Sequence, residues 1–159
     1  MCVVVGIVCL MNLTGCCSGP RGNIIIHPDY WELSDYQLGK VFRTKVVLCI
    51  SRVYGRADLT TSVASGVGCD GFLRDPNKYA DLIGKVDGPV EPGTRIAIHM
   101  VIRYCRGPDV GNRINPYGII LTGPYRGTVV DLHGVSAWGE VSRKFGLVPY
   151  SDKEYLESE

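Results

Sequence analysis

The segment Arg95–Cys105, with the sequence RIAIHMVIRYC, carries the clearest strand pattern in the chain. Side chains alternate between the two faces of a β-strand, so the even-numbered residues from Ile96 to Tyr104 share one apolar face. That face is predicted to pack on the core, with the odd-numbered residues on the other side. Eleven residues is long for one strand, and long strands that bend usually do so to close a barrel or to change sheets.

Two further patterns favour a β-rich fold. Residues 45–53 are apolar on both faces, which is typical of a central strand. Residues 117–122 and 128–133 flank the turn sequence 123–127 and predict a hairpin. Twenty glycines, nine prolines and nine tyrosines in 159 residues indicate many turns. The predicted fold class is mainly β: a small antiparallel barrel or curled sheet with one or two short helices.

The remaining segments are predicted from turn residues and short apolar runs. In chain order, the predictions are a strand at 23–27, irregular or extended chain at 29–33, a helical turn or a loop at 34–39, a turn at 54–58, a weaker strand at 59–67, a turn at 69–71, a short helix at 75–82, a polar loop at 106–116, a short helix at 136–145 and a terminal turn or loose tail from Pro149 onward.

The first 17 residues indicate where the chain is located. Residues 3–10 form an uncharged apolar run, which is too short to cross a bilayer because a spanning helix needs roughly 20 apolar residues. The run does have the proportions of the hydrophobic region of a secretory signal. It is followed by Leu13-Thr14-Gly15-Cys16, an aliphatic residue, two small residues and a cysteine. This motif resembles the lipobox of bacterial lipoproteins.

The resemblance implies cleavage before Cys16 and acylation of the Cys16 thiol and of the new amino group. It divides the chain into a signal peptide (1–15), a lipidated tether (16–23) and a single β-rich domain (24–159). Position 17 is Cys rather than Asp, which favours the periplasmic face of the outer membrane. An alternative stays open: because residues 1–15 contain no Lys or Arg, residues 3–10 also fit a buried strand of a cytosolic protein.

A second resemblance concerns the domain itself. Short strands accompanied by the pattern Gly-x-x-x-Gly-x-x-Val, at Gly123, Gly127 and Val130, are similar to SH3-like barrels. The similarity covers roughly the last two thirds of the chain and implies a small barrel.

The chain contains seven cysteines. After the implied cleavage and lipidation, Cys17, Cys49, Cys69 and Cys105 remain, and four cysteines allow three complete pairings among which sequence cannot choose. An oxidising periplasm would permit a disulfide. The alternative is that Cys49 and Cys105, both in apolar strand patterns, are buried thiols.

The chemistry of the polar residues favours binding over catalysis. With 17 basic and 16 acidic residues, the net charge of +1 gives no reason to expect a nucleic-acid partner. His133 and Asp131 have the spacing of a base and its orienting carboxylate on one strand, but the chain has no nucleophile motif such as Gly-x-Ser-x-Gly. Residues 65–69 are glycine-rich but lack the Lys of a phosphate loop. No catalytic residues, metal ligands or cofactors are therefore assigned.

The candidate binding residues are one histidine, three arginines and one tyrosine, which would supply positive charge and an aromatic ring to an interface. They are His99, Arg103, Arg106, Arg113 and Tyr125.

The predicted function is a non-enzymatic envelope lipoprotein, held at the membrane through a lipid on Cys16, that binds a protein or a cell-wall component. Three alternatives remain: a periplasmic inhibitor or immunity protein against a hydrolase, an enzyme acting on wall or lipid through His133 and Asp131, and a cytosolic structural or assembly subunit.

Overall fold

The computed structural model describes residues 23–24, 28–53, 55–64, 67–75, 77–78, 85–105, 112–142 and 146–159. The predictions on the signal peptide, on Cys16 and on the tether up to residue 22 fall outside these residues, as does Arg106. The described elements, in chain order, are β1 (Asn23–Ile24), α1 (Pro28–Leu33), β2 (Val41–Thr44), β3 (Leu48–Val53), β4 (Arg56–Thr60), β5 (Ser62–Ala64), β6 (Val67–Gly68), α2 (Cys69–Arg74), β7 (Val86–Val90), β8 (Arg95–Cys105), β9 (Asn112–Ile120), β10 (Val129–Gly134), β11 (Ser136–Ser142), β12 (Gly146–Ser151) and β13 (Leu156–Ser158).

The fold is mainly β, as predicted, and most of the strands belong to one mixed sheet. Its main path runs β13-β2-β8-β9-β10-β4-β3-β7, with β1 added to β8 and with β12 joining β11 to β9. Most strand pairs are antiparallel, and two are parallel: β10 with β4 and β12 with β9. The β5–β6 pair is separate.

The sheet curls where two chain segments cross from one part of it to another. β2 pairs with β8, while β3, the strand after β2, pairs with β7, the strand before β8. The two connections also stay side by side: the backbone N–H of Thr44 donates to the oxygen of Thr94 over 3.0 Å, and that of Gly93 donates to the oxygen of Thr44 over 2.7 Å. The β2–β8 pair at one side of the sheet is thereby connected directly to the β3–β7 pair at its other side.

Strand β8 contains a bulge that the sequence pattern does not show. β8 spans the eleven predicted residues and pairs with β9 along its length. Ile98 lies opposite Gly118, but Met100 lies opposite the adjacent Tyr117, so His99 is an additional residue on β8. An added residue of this kind shifts the alternation of side chains by one position and bends the strand.

The bulge limits the predicted core face of β8 to its first half. Ile96 and Ile98 are buried as predicted. Beyond the bulge the buried residue is Val101, whereas Met100 and Ile102, which were assigned to the core face, are only half-buried.

Several weakly patterned segments differ from their predictions. Residues 29–33 belong to helix α1, which begins at Pro28 because the fixed φ of proline suits the first helical position. The predicted turn at 69–71 lies in helix α2, where Cys69 and Phe72 are buried on one face, and where Asp70 in the first turn and Arg74 in the last turn complement the helix dipole. The segment 34–39 is a loop, the second of its two predicted forms.

Other segments that were predicted as turns, loops or helices form strands in the structure. Residues 56–58 belong to β4, and the predicted strand at 59–67 is divided among β4, β5 and β6. Residues 112–116 of the predicted polar loop belong to β9. The predicted helix at 136–145 is wrong, because Ser136–Ser142 forms β11 and pairs with β12. Of the predicted helix at 75–82, only residues 77–78 form a described helical turn.

The C-terminal segment is part of the fold rather than a loose tail. The Oγ of Ser34, just after α1, donates to the backbone oxygen of Pro149 over 2.7 Å. Asp35 Oδ1 accepts the N–H of Ser151 over 2.8 Å. These contacts hold β12 against the loop after α1. β13 then pairs with β2 and buries Leu156 in the core.

Large buried side chains from distant parts of the chain form the main core. The phenol of Tyr36 packs edge-on against Phe42, with ring centroids 5.5 Å apart, and its Oη lies 2.9 Å from Ser136 Oγ. Burial raises the pKa of Tyr36 well above its ordinary value, and burial raises that of Tyr30 to about 12. Other fully buried members include Leu48, Ile50, Leu59, Ile96, Ile114, Ile120 and Leu132.

Glu159, which directly follows β13, forms ion pairs with arginines on two strands, β2 and β8. Its carboxylate accepts hydrogen bonds from Arg95 at 2.7 Å and from Arg43. Bonding to Arg95 and then to Arg43 lowers the pKa of Glu159 to about 2. A carboxyl whose pKa is depressed in the folded state stabilises the fold above its unfolded pKa of 4.5, and this contribution is lost as the pH falls through the folded value.

We therefore expect Glu159→Gln to lower the free energy of unfolding slightly at pH 7 and low salt. The difference from the unsubstituted protein should shrink below pH 4.5 and disappear near pH 2. Urea titrations at pH 7, 4 and 2 measure it, with the exposed neighbour Glu157→Gln as the control. A deficit that grows as the pH falls would contradict this assignment.

Candidate functional site

Two of the predicted binding residues lie at the same end of the β8–β9 ribbon. Arg103 on β8 pairs with Ile114 on β9, and Arg113 pairs with Tyr104 one position further along. Arg106 lies outside the residues that the structure describes. We call this the tether end: residues 103–105 of β8 and 112–114 of β9 together with the strand ends that pair with them.

Two other segments converge on the tether end. β1 pairs with β8 so that Asn23, the first residue of β1, lies opposite Arg103. β12 pairs with β9 so that Leu147 lies opposite Arg113. Leu147 follows the β11–β12 connection, and its side chain is 47% exposed. The tether end therefore combines an exposed aliphatic side chain with the arginine positions predicted from the sequence.

His99 and Tyr125 lie elsewhere. His99 occupies the β8 bulge and is exposed, four residues from Arg103. Tyr125 belongs to the connection between β9 and β10, which lies beyond the pair Ile96–Ile120. Arg103 lies seven residues from Ile96 along β8, towards the other end of the ribbon. At roughly 3.3 Å per strand residue, this separation is about 23 Å. Tyr125 and the two described arginines therefore lie at opposite ends of the β8–β9 ribbon.

Tyr125 has a structural role at its own end of the sheet. Its Oη donates to the backbone oxygen of Asp87 on β7 over 3.0 Å, and the ring packs against the core. A Cβ added at Gly88 would lie 2.1 Å from this Oη, so the phenol occupies the space that a side chain at Gly88 would need. The contact joins the hairpin connection to the edge strand.

A buried polar cluster, which the sequence did not predict, lies where β9, β10 and β4 meet. Asp131 on β10 pairs with Tyr117 on β9 and with Asp58 on β4, so two carboxyl-bearing residues are neighbours across parallel strands. Asp131 is only 3% exposed. The Nδ2 of Asn115, itself 4% exposed, donates to Asp131 Oδ2 over 2.6 Å. This hydrogen bond offsets part of the cost of burying the carboxylate.

The second carboxylate oxygen stabilises a bulge in β10. Asp131 Oδ1 accepts the backbone N–H of His133 over 2.9 Å. Between the pairs Asp131–Asp58 and Gly134–Thr60, β10 uses one residue more than β4. A Cβ at Gly134 would lie 2.7 Å from the backbone oxygen of Leu59, so only glycine permits this close approach.

Arg56 lies at the edge of the polar cluster. Partial burial works against its charge, but the hydrogen bond to Tyr117 and the nearby carboxylates Asp58 and Asp131 raise the pKa of Arg56. The guanidinium thus provides positive charge beside two acidic residues. A signal for this side of the cluster was present in the sequence: Ala57 and Leu59 alternate with polar residues, but the adjacent turn residue Gly55 favoured a turn.

This geometry resembles a structural cluster more than a catalytic one. His133 and Asp131 are close, as their spacing predicts, but the described hydrogen bond joins the carboxylate to the His133 backbone. The His133 ring packs edge-on against Trp138, with centroids 4.9 Å apart. Both oxygens of the buried Asp131 carboxylate accept hydrogen bonds from β9 and β10, so this carboxylate fixes strands rather than facing a substrate.

Cys49 and Cys69 form a disulfide. Cys49 is fully buried on β3, Cys69 begins α2, and their Cα atoms are 5.7 Å apart, within the usual range for a disulfide. Both sulfurs belong to a second, smaller core cluster that also contains Val63 and Phe72. The bond ties α2 to the sheet, and it is one of the pairings that the sequence left open.

Among the described residues, no group of three or more His, Cys, Asp or Glu side chains is arranged to hold a metal ion. Within the same residues, no helix has the length and hydrophobicity needed to span a membrane. Comparisons of the chain with protein-family models, curated proteins and solved structures found no match.

Proposed function

We propose that this chain is an exported, non-enzymatic lipoprotein domain, anchored through Cys16, that acts by binding a protein or cell-wall partner. The Cys49–Cys69 disulfide is the observation that carries the proposal. Structural disulfides form and persist in oxidising compartments such as the periplasm and are rare in the cytosol. A buried disulfide and a lipobox-like motif are independent features that favour the same compartment.

The order of the chain along the fold is compatible with an N-terminal anchor. Asn23 is the first residue of β1 and lies opposite Arg103 at the tether end. Cys16 and Asn23 are seven positions apart, and an extended chain of this length reaches at most about 25 Å. A lipid on Cys16 would hold the tether end near the bilayer, with the opposite end directed away from it.

The state of Asp131 supports a role as a binding module. Its buried carboxylate, beside the partly buried Asp58, is built into the contact between three strands. The exposed ring of Tyr150 is suited to contact a partner, and the exposed side chains of Leu33 and Leu38 add apolar surface.

Subcellular fractionation of bacteria that produce the full chain tests the anchor. The unsubstituted protein and the control Cys17→Ala are expected to sediment with membranes, to resist a 1 M salt wash and to dissolve in detergent, because two or more acyl chains give stable anchoring. Cys16→Ala is expected to appear in the soluble fraction after the salt wash. If Cys16→Ala stays in the washed membranes, the proposed anchor is wrong.

A further inference from the structure

We infer that β5, β6 and α2 form a redox-controlled unit, which the Cys49–Cys69 disulfide holds on the mixed sheet and which is released when this bond is reduced, while the sheet stays folded. We call these three elements the α2 unit. Its release does not depend on a lipid at Cys16, so it goes beyond the proposed function. Three features support it: the separate pairing of its strands, its small core and the burial of the disulfide.

The strands of the α2 unit pair with each other rather than with the mixed sheet. β5 and β6 form a two-stranded sheet, and within the described part of the chain neither strand has another partner. The hydrogen bonds described at the start of the unit are local. The backbone N–H of Cys69 donates to the oxygen of Thr61 over 2.9 Å, and that of Ser62 donates to Thr60 Oγ1 over 3.1 Å. No ladder among the described strands therefore fixes the unit to the sheet.

Strand β3, which carries Cys49, is held on both sides without the disulfide. Cys49 lies opposite Thr60 on β4 and opposite Pro89 on β7, so β3 is paired with a strand on either side at this position. The neighbouring Leu48 and Ile50 are fully buried in the main core, whose described members all lie outside the α2 unit. Reduction removes neither the strand pairs nor this core, so the sheet stays folded.

The apolar contacts of the α2 unit with the sheet are few. The described cluster has four buried members: Cys49 and Cys69, which form the disulfide, and Val63 and Phe72. Val86 on β7 is half-buried and packs against them. A six-residue helix and a two-stranded hairpin are each marginal in water by themselves. The order of the unit therefore depends on its covalent link to β3.

Burial of the disulfide couples its reduction to opening of the α2 unit. Cys49 is fully buried and Cys69 is 2% exposed, whereas an attacking thiolate must reach one of the two sulfurs. A dithiol reductant attacks one sulfur, forms a mixed disulfide and displaces the other cysteine as a thiolate. Its second thiol then displaces the first cysteine. Two electrons pass from the reductant to the cysteines, the two protons of the reductant thiols end on the cysteine thiols, and the reductant becomes a cyclic disulfide.

The redox state therefore selects between two forms of the domain. In the oxidised form the α2 unit covers Cys49 and Val86 on the sheet. In the reduced form Val63, Phe72 and Val86 lose their cover, and two thiols become accessible. An oxidising compartment keeps the closed form, and the open form appears only where a dithiol reductant reaches the protein.

Hydrogen–deuterium exchange of the full chain, read by mass spectrometry of its peptides, tests this device. The protein is labelled without denaturant, in the absence and in the presence of dithiothreitol. We expect peptides that cover residues 62–74 to exchange roughly tenfold faster or more in the reduced protein, while peptides from β8, β9 and β10 stay protected at the same labelling times. Unchanged exchange at 62–74, or loss of protection in β8, β9 and β10 at those times, would overturn the proposal.

Two cysteine variants are the matched controls. Cys17→Ala keeps the bond and should respond to dithiothreitol as the unsubstituted protein does. Cys49→Ala combined with Cys69→Ala should exchange rapidly at 62–74 with or without reductant. If this double variant stays protected there, packing alone holds the unit; if it unfolds completely, the sheet itself needs the bond. Either result would contradict the inference.

The rate of reduction separates opening of the α2 unit from unfolding of the whole domain. The denaturant dependence of an opening step grows with the surface that it exposes. Reduction by dithiothreitol at urea concentrations below the unfolding transition should therefore accelerate only weakly with urea, and a dependence as steep as that of global unfolding would refute separate opening. A disulfide that is present but does not hold the unit removes only this inference, whereas an absent disulfide also removes the main support for export.

Discussion

Replacing Cys49 and Cys69 together with alanine is expected to lower the free energy of unfolding by roughly 3 kcal/mol. The bond closes a loop with a sequence separation of 20 residues. Its loss raises the conformational entropy of the unfolded chain, which stabilises the unfolded state by about that amount. Loss of the bond also weakens the small cluster around Val63 and Phe72, which is held to the sheet through Cys49. Urea unfolding of the full chain, with Cys17→Ala as the control, measures the difference.

Reductant provides an internal check on this result. Dithiothreitol should destabilise the unsubstituted protein by a similar amount and should have no effect on the double variant. If reductant leaves the stability of the unsubstituted protein unchanged, or if Cys49 and Cys69 react with a thiol reagent in the unfolded, unreduced protein, the disulfide is absent. The main support for export would then be lost.

Asp131→Ala is expected to cost about 3 kcal/mol of stability, since removing one partner from a buried, hydrogen-bonded group leaves the others unsatisfied. Asn115 Nδ2 and the backbone N–H of His133 would both lose their acceptor in a buried site. Within the described residues Asn115 Oδ1 is already buried without a hydrogen-bond partner, so the amide cannot turn to an alternative network at no cost. Thermal and urea unfolding measure the loss.

Asp131→Asn is the matched control for this substitution. It keeps an oxygen that can accept the His133 N–H and removes the negative charge beside Asp58. We expect it to lose less than half as much stability as the alanine variant. A near-neutral Asp131→Ala would show that the cluster does not fix the three strands and would reopen a catalytic role for Asp131 and His133.

Local patterns predicted the elements whose alternation is strong. The limits of β8 follow from the sequence, and the β9–β10 hairpin follows from the turn residues between its strands. The bulge at His99 does not follow, because it depends on which residues of β9 lie opposite. β13 was missed for the same kind of reason: three residues form a strand only because β2 offers a partner.

The candidate sites show the same division between local and long-range information. Arg103, Arg106 and Arg113 could be grouped from sequence because a hairpin keeps its own ends together. The Asp131 cluster needs the parallel contact between β10 and β4, which joins segments more than 70 residues apart in the chain. The pairing of Cys49 with Cys69 likewise depends on where α2 packs, and no spacing rule supplies that.

The proposed anchorage depends on the chemical state of Cys16 in the cell. Intact-mass and peptide mass spectrometry of the native protein, extracted from membranes with detergent, measures it directly. The predicted result is a chain that begins at Cys16 and carries a diacylglyceryl group on that residue, with Cys49 and Cys69 linked. A chain that retains Met1 and an unmodified Cys16 would contradict the anchor and, with it, the assignment to the cell envelope.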